Sequence, residues 1–134
     1  MKRLLAMGIL AASAWADGGR TWTFSNEEVG KPPSGFEFAT TRQSPAGRWE
    51  VVEDEGRPVL AQLDEDPTDG RFAMAVASGS SFRDLRLSVR GKPVHGQHDQ
   101  AVGLAWRYQD ADNYYVARLN PLEGNVRLYR VVNG

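Results

Sequence analysis

The 134-residue chain has no cysteine, which excludes a disulfide-stapled mini-domain and any thiolate metal centre and leaves an exported form to rely on its core. It has two histidines, His95 and His98, and neither sits in a recognisable nucleophile motif with a serine partner. Basic charge is not in excess: 16 Lys and Arg stand against 17 Asp and Glu. That balance does not favour nucleic acid, whose binding depends on concentrated positive charge. No stretch reaches the roughly 20 apolar residues of a transmembrane helix, no amphipathic helical period is visible, and no cofactor is expected.

What is present begins with MKRLLAMGILAASAWA. Lys2 and Arg3 precede an apolar run from Leu4 to Ala12, and Ala14-Trp15-Ala16 is a small-x-small cleavage motif before Asp17. Residues 1–16 therefore read as a secretory signal peptide, and the mature protein is expected in the periplasm or outside the cell, with no membrane association after cleavage. Removing Lys2 and Arg3 leaves 14 basic against 17 acidic residues, a formal charge of −3. Residues 17–134 suffice for one domain with a hydrophobic core.

From Trp22 onward, short alternating runs are separated by turn residues. Trp22 and Phe24 suggest a first strand, Phe36 and Phe38 a second, and Trp49 to Glu53 with Pro58 to Gln62 a hairpin turning at Glu55-Gly56. Phe72 to Ala77 reads as another strand, and Leu85, Leu87 and Val89 alternate with polar residues in a half-buried pattern. Strands at this spacing, without helical intervals, predict an all-β antiparallel sandwich or barrel.

Two loops invite metal hypotheses. The acidic loop from Asp64 to Asp69 suits a hard cation, but its acids, its glycine and Ala75 miss the EF-hand spacing, so a solvated loop is the preferred reading. His95, His98 and Asp99 share one loop; a zinc site needs further ligands, and Asp99 is expected to fix the loop through backbone amides. No metal site is assigned.

The most informative stretch is Gln100 to Gly134. With turns at Asp110–Asn113 and Pro121–Gly124, three strands pair so that Tyr108, Trp106, Leu104, Tyr115, Ala117, Leu119, Val126 and Leu128 share an apolar face, expected to be the core side. The other face carries Arg107, Arg118, Asn120, Asn125, Arg127 and Tyr129 beside Gly103 and Ala105, and is the expected ligand face. Asn133-Gly134 is a hairpin signal, so the domain is expected to be a C-terminally incomplete piece of a longer one.

The runs Asp99 to Asp110, Asn113-Tyr114-Tyr115 and Arg118 to Tyr129 resemble secreted bacterial proteins of the laminin-G-like, concanavalin A-like jelly-roll group, related to the 3-keto-disaccharide hydrolase domain family. The resemblance implies a two-sheet jelly roll with a concave face that often binds sugars. The expected function is thus an exported carbohydrate-binding module. A glycoside hydrolase is the second reading, although no carboxylate pair can be nominated for it; a protein-interaction module that uses an open sheet edge is the third.

Overall fold

The computed structural model describes residues 6–13, 19–43, 45–65 and 70–134, with Ala6–Ser13 and Gln43 described by backbone alone. Among the described residues the chain is all-β and every strand pairing is antiparallel. The strands are β1 (Ala6–Ser13), β2 (Arg20–Thr21), β3 (Phe36–Thr40), β4 (Trp49–Asp54), β5 (Arg57–Gln62), β6 (Ala73–Ala77), β7 (Arg86–Pro93), β8 (Val102–Asp110), β9 (Asn113–Asn120) and β10 (Asn125–Val132). One sheet has the order β2-β1-β5-β4 with β7 also on β1, a second is the pair β3-β6, and the third is β10-β9-β8.

Local chemistry accounts for most of these elements. The β4–β5 hairpin turns on Glu55 and Gly56, at φ 50° and 75°, the two positive values that match a tight turn to the twist of its strands. It sets Val51 against Leu60, and both are buried with Phe24 in a first core to which Trp22, Phe36, Trp49 and Ala75 add their flanks. The expected strand at Trp22–Phe24 is absent. Phe24 instead takes φ 59° and turns its ring onto Phe36 at 5.9 Å, so burial of the aromatic overrides strand continuity. Strand β1, Ala6–Ser13 in backbone, covers most of the apolar run Leu4–Ala12 expected as the core of a leader, and the expected cleavage motif Ala14-Trp15-Ala16 lies outside the described residues.

A second core joins Met74 of β6 to Tyr114 and Val116 of β9, with Ala39, Phe72, Ala105, Tyr108 and Val131 around them. The β3–β6 ribbon serves both cores, because Phe36 and Ala75 pack on the first while Ala39 and Met74 pack on the second. The Tyr114 hydroxyl shares a hydrogen bond of 2.5 Å with Thr41 Oγ1, which satisfies both groups in the interior.

The C-terminal meander follows the expected register in its second hairpin, where Asn120 faces Asn125, Arg118 faces Arg127 and Val116 faces Tyr129. The first hairpin keeps Asp110 opposite Asn113, but a bulge between Trp106 and Asp110 slides the rest by two residues, so Trp106 faces Tyr115 rather than Ala117. Arg107 sits on this bulge at φ 49°. Tyr108 is carried to the Tyr114 side, with ring centroids 6.2 Å apart, instead of joining Tyr115.

The expected assignment of inside and outside is reversed. Tyr114, Val116, Arg118 and Asn120 are buried, whereas Leu119, Val126 and Leu128 are 45%, 71% and 70% exposed. The face read as polar also contains Tyr114, Val116, Ala105 and Val131, which cover Met74. Its arginine and amides can follow them inward because loops supply their partners. Val116→Ala should therefore cost about 2 kcal/mol in urea unfolding, from lost burial and a residual cavity, while Leu128→Ala should stay within about 0.5 kcal/mol; the opposite ordering would restore the expected orientation.

Candidate functional site

The site is built on the inner face of β9 and β10. At its centre is Arg118, 8% exposed, whose guanidinium has a partner on every side. Its Nη1 donates to Asp99 Oδ2 at 3.2 Å, from the loop between β7 and β8, and its Nη2 donates to Glu123 Oε2 at 2.9 Å, from the β9–β10 turn. Nε and Nη2 also reach the Tyr129 hydroxyl at 3.4 and 3.3 Å. The plane lies near two rings, with Cζ 5.7 Å from the Tyr129 centroid and 6.0 Å from that of Phe72, a distance at which a cation is attracted to an aromatic face.

The amides orient the carboxylates. Asn120, fully buried, donates from Nδ2 to Asp99 Oδ1 at 2.7 Å and accepts the Leu122 amide on Oδ1 at 3.1 Å, so one side chain ties the loop, the strand and the turn. Asn125 donates from Nδ2 to Glu123 Oε2 at 2.9 Å, and its Oδ1 is buried with no partner among the described residues. The amide of Asn125, and then the guanidinium of Arg118, hold the Glu123 carboxyl below the usual glutamate value. Hydrogen bonds from Arg118 to Tyr129 and Glu123 raise the Arg118 pKa despite its burial, which acts in the other direction.

Asp99 and Glu123 are themselves half-exposed, at 48% and 42% of the side chain. With Arg118, Tyr129 and Phe72 they line an open cleft of about 1810 Å³. Gly103 lies directly across from Arg118; a Cβ there would stand 2.2 Å from the Ala117 carbonyl oxygen. Its small size is thus required by the close approach of β8 to β9, rather than by space for a ligand.

Of the residues expected on the ligand face, Arg118, Asn120, Asn125 and Tyr129 are brought together, and Arg127 lies beside them as the exposed partner of Arg118 across the ladder. Arg107 is not. From the bulge its Cζ reaches the Tyr115 ring at 5.9 Å, away from the Arg118 cluster, and Tyr115 in turn stacks on Trp106 at 5.9 Å. Asp99 was expected to bind backbone amides, yet it accepts from Arg118 and Asn120 side chains; its loop is tied by Gln100 Nε2 donating to the Gly96 carbonyl at 2.9 Å. Asp99 and Glu123 as joint partners of one arginine went unforeseen, since 24 positions separate them. In the acidic loop, Asp64 Oδ2 accepts from Arg71 Nη2 at 2.9 Å, and the stretch 66–69 lies outside the described residues.

Comparisons with family models, with curated proteins and with solved structures gave no match. The chemistry of this cluster therefore has to be argued from its own geometry.

A carboxylate whose pKa is lowered by folding adds stability that is fully present above its unfolded value and is lost as pH falls through the folded value. Glu123 is such a group. Acidification below the ordinary glutamate range should therefore destabilise the parent more than Glu123→Gln, and denaturation midpoints measured from neutral to acid pH should converge. Parallel curves for the two proteins would show that Asn125 and Arg118 do not hold the carboxylate.

Proposed function

We propose that this chain is an exported carbohydrate-binding β-sandwich module of the concanavalin A-like jelly-roll type, and that it takes a glycan in the cleft beside Arg118. The all-β antiparallel architecture and its C-terminal meander are compatible with that fold. The observation that carries the reading is one buried guanidinium setting two half-exposed carboxylates, Asp99 and Glu123, at the wall of a cleft next to the Tyr129 ring. Carboxylate oxygens accept hydrogen bonds from sugar hydroxyls, and an aromatic ring offers an apolar face to a pyranose.

The roles within the cluster differ from those expected on sequence grounds alone. Arg118, Asn120 and Asn125 are spent on internal partners and act as positioning residues, while Asp99, Glu123 and Tyr129 line the cleft and are the groups a ligand would meet.

The hydrolase reading finds less support. Asp99 and Glu123 both bind the Arg118 guanidinium, whereas a glycosidase pair flanks the scissile bond and needs one carboxyl kept protonated. The pKa of Glu123 is lowered, not raised. The protein-interaction reading draws on the outer face, where Val126 and Leu128 are exposed on the edge strand β10.

A glycan array with the exported protein, followed by titration of the best ligand, tests the proposal. Asp99→Asn and Tyr129→Ala should each weaken binding about tenfold or more, roughly the loss of one good contact, and Arg130→Ala, exposed and outside the cleft lining, should leave it unchanged. Unaltered affinity in both site variants would contradict the assignment.

A further inference from the structure

The C-terminal sheet β10-β9-β8 ends on two edges of different build. β8 is irregular, because the bulge at Arg107 breaks its register. β10 is regular: all eight of its residues pair with β9 without a shift, and among the described residues it pairs with no other strand. It has neither proline nor bulge, two devices that keep a sheet edge from adding another strand. Its outward residues Val126, Leu128 and Val132 are exposed, and Leu119, opposite Val126, extends that row onto β9. An apolar row bordering open backbone N–H and C=O groups is the arrangement that strand addition uses.

We infer that the occupant of this edge is a second copy of the chain, with β10 pairing antiparallel to β10 across a two-fold axis at Leu128. The strand's own charges select this register. Keeping the outer rows of both copies on one side of the sheet pairs even-numbered residues with even and odd with odd. Among such registers, those that set Arg127 opposite Arg127 or Arg130 opposite Arg130 oppose like charges and are disfavoured. An axis at Leu128 avoids both: Leu128 meets Leu128, Val126 meets Arg130, Arg127 meets Tyr129 and Asn125 meets Val131. An axis at Tyr129 also avoids them, but it sets Leu128 against Arg130 and forgoes the apolar contact at the centre. Two three-stranded sheets thus join into one, with Leu119, Val126 and Leu128 of both copies in one outer band, and the isologous contact closes at two copies. One strand pair with one apolar row is small beside the roughly 1,600 Å² of a standard complex, which sets the association at the weak end. Val126, Leu128, Arg130 and Val132 do not line the cleft, so the inference stands apart from the glycan reading.

Sedimentation of the exported protein from about 1 μM to about 1 mM, a span that covers weak association, tests the inference together with residue-resolved amide hydrogen exchange. The expected result is a reversible dimer, with protection rising with concentration at alternate residues of β10, those whose N–H groups point away from β9. Leu128→Lys, which sets two ammonium groups together at the axis, should raise the dissociation constant at least tenfold. Val126→Lys and Val126→Glu lose the same apolar contact but place opposite charges across from Arg130 of the second copy, so the lysine variant should dissociate about tenfold more readily than the glutamate variant. All three substitutions fall at exposed positions, and unchanged urea midpoints confirm that the fold is kept. A monomer throughout the range, or assembly beyond a dimer, would overturn the inference. So would β10 amides equally protected at every concentration, the outcome if another segment of the chain covers the edge, or a dimer indifferent to Leu128→Lys and to the sign of the charge at position 126.

Discussion

The enclosure of Arg118 is the constraint on which the C-terminal sheet depends. An unpartnered guanidinium in the interior is costly, because lost hydration must be replaced by hydrogen bonds and opposite charge. Here the replacement comes from three elements at once: the loop before β8 through Asp99, the β9–β10 turn through Glu123, and β10 through Tyr129. Each of these must be in place for the inner face of β9 to close over Met74 and Phe72. The arginine therefore couples two loops to the second core, and the same contacts leave two carboxylates aligned at the cleft.

That coupling is also the reason binding rather than catalysis is proposed for the site. The Asn125 amide and the Arg118 guanidinium hold the Glu123 carboxyl below its ordinary value, which suits it to accepting hydrogen bonds from hydroxyls and poorly to giving up a proton. The carboxylates are fixed by Asn120 and Asn125 as well as by Arg118. Fixed acceptors lose little freedom when a ligand arrives, and this pre-organisation raises affinity without new contacts.

The sequence revealed the partition of the meander and concealed its direction. Period-two alternation fixes which side chains share a face, and it placed Arg118 with Arg127, Asn120 with Asn125 and Leu119 with Val126 correctly. It does not say which face is covered. Counting apolar residues favours Leu119, Val126 and Leu128 for the interior, but Tyr114, Val116 and Ala105 on the other face have a partner in Met74, and no local pattern encodes that contact. Asp99 and Glu123, which make burial of Arg118 tolerable, sit in turns where acids are ordinarily solvated. The bulge at Arg107 was equally hidden, since a non-glycine residue at positive φ carries no composition signal, and it alone separates this arginine from the others. Turn chemistry was the more legible layer: Glu55-Gly56, Asp110–Asn113 and Pro121–Gly124 all turn where their residues predict.

The enclosed guanidinium can be observed directly by nitrogen-15 NMR of the arginine side chains at neutral pH. The account predicts that Arg118 gives a resolved Nε–H resonance in slow exchange with water, with cross-relaxation to the rings of Tyr129 and Phe72, whereas exposed Arg127 exchanges fast. An Arg118 signal that exchanges as quickly as that of Arg127 and shows no ring contact would contradict it.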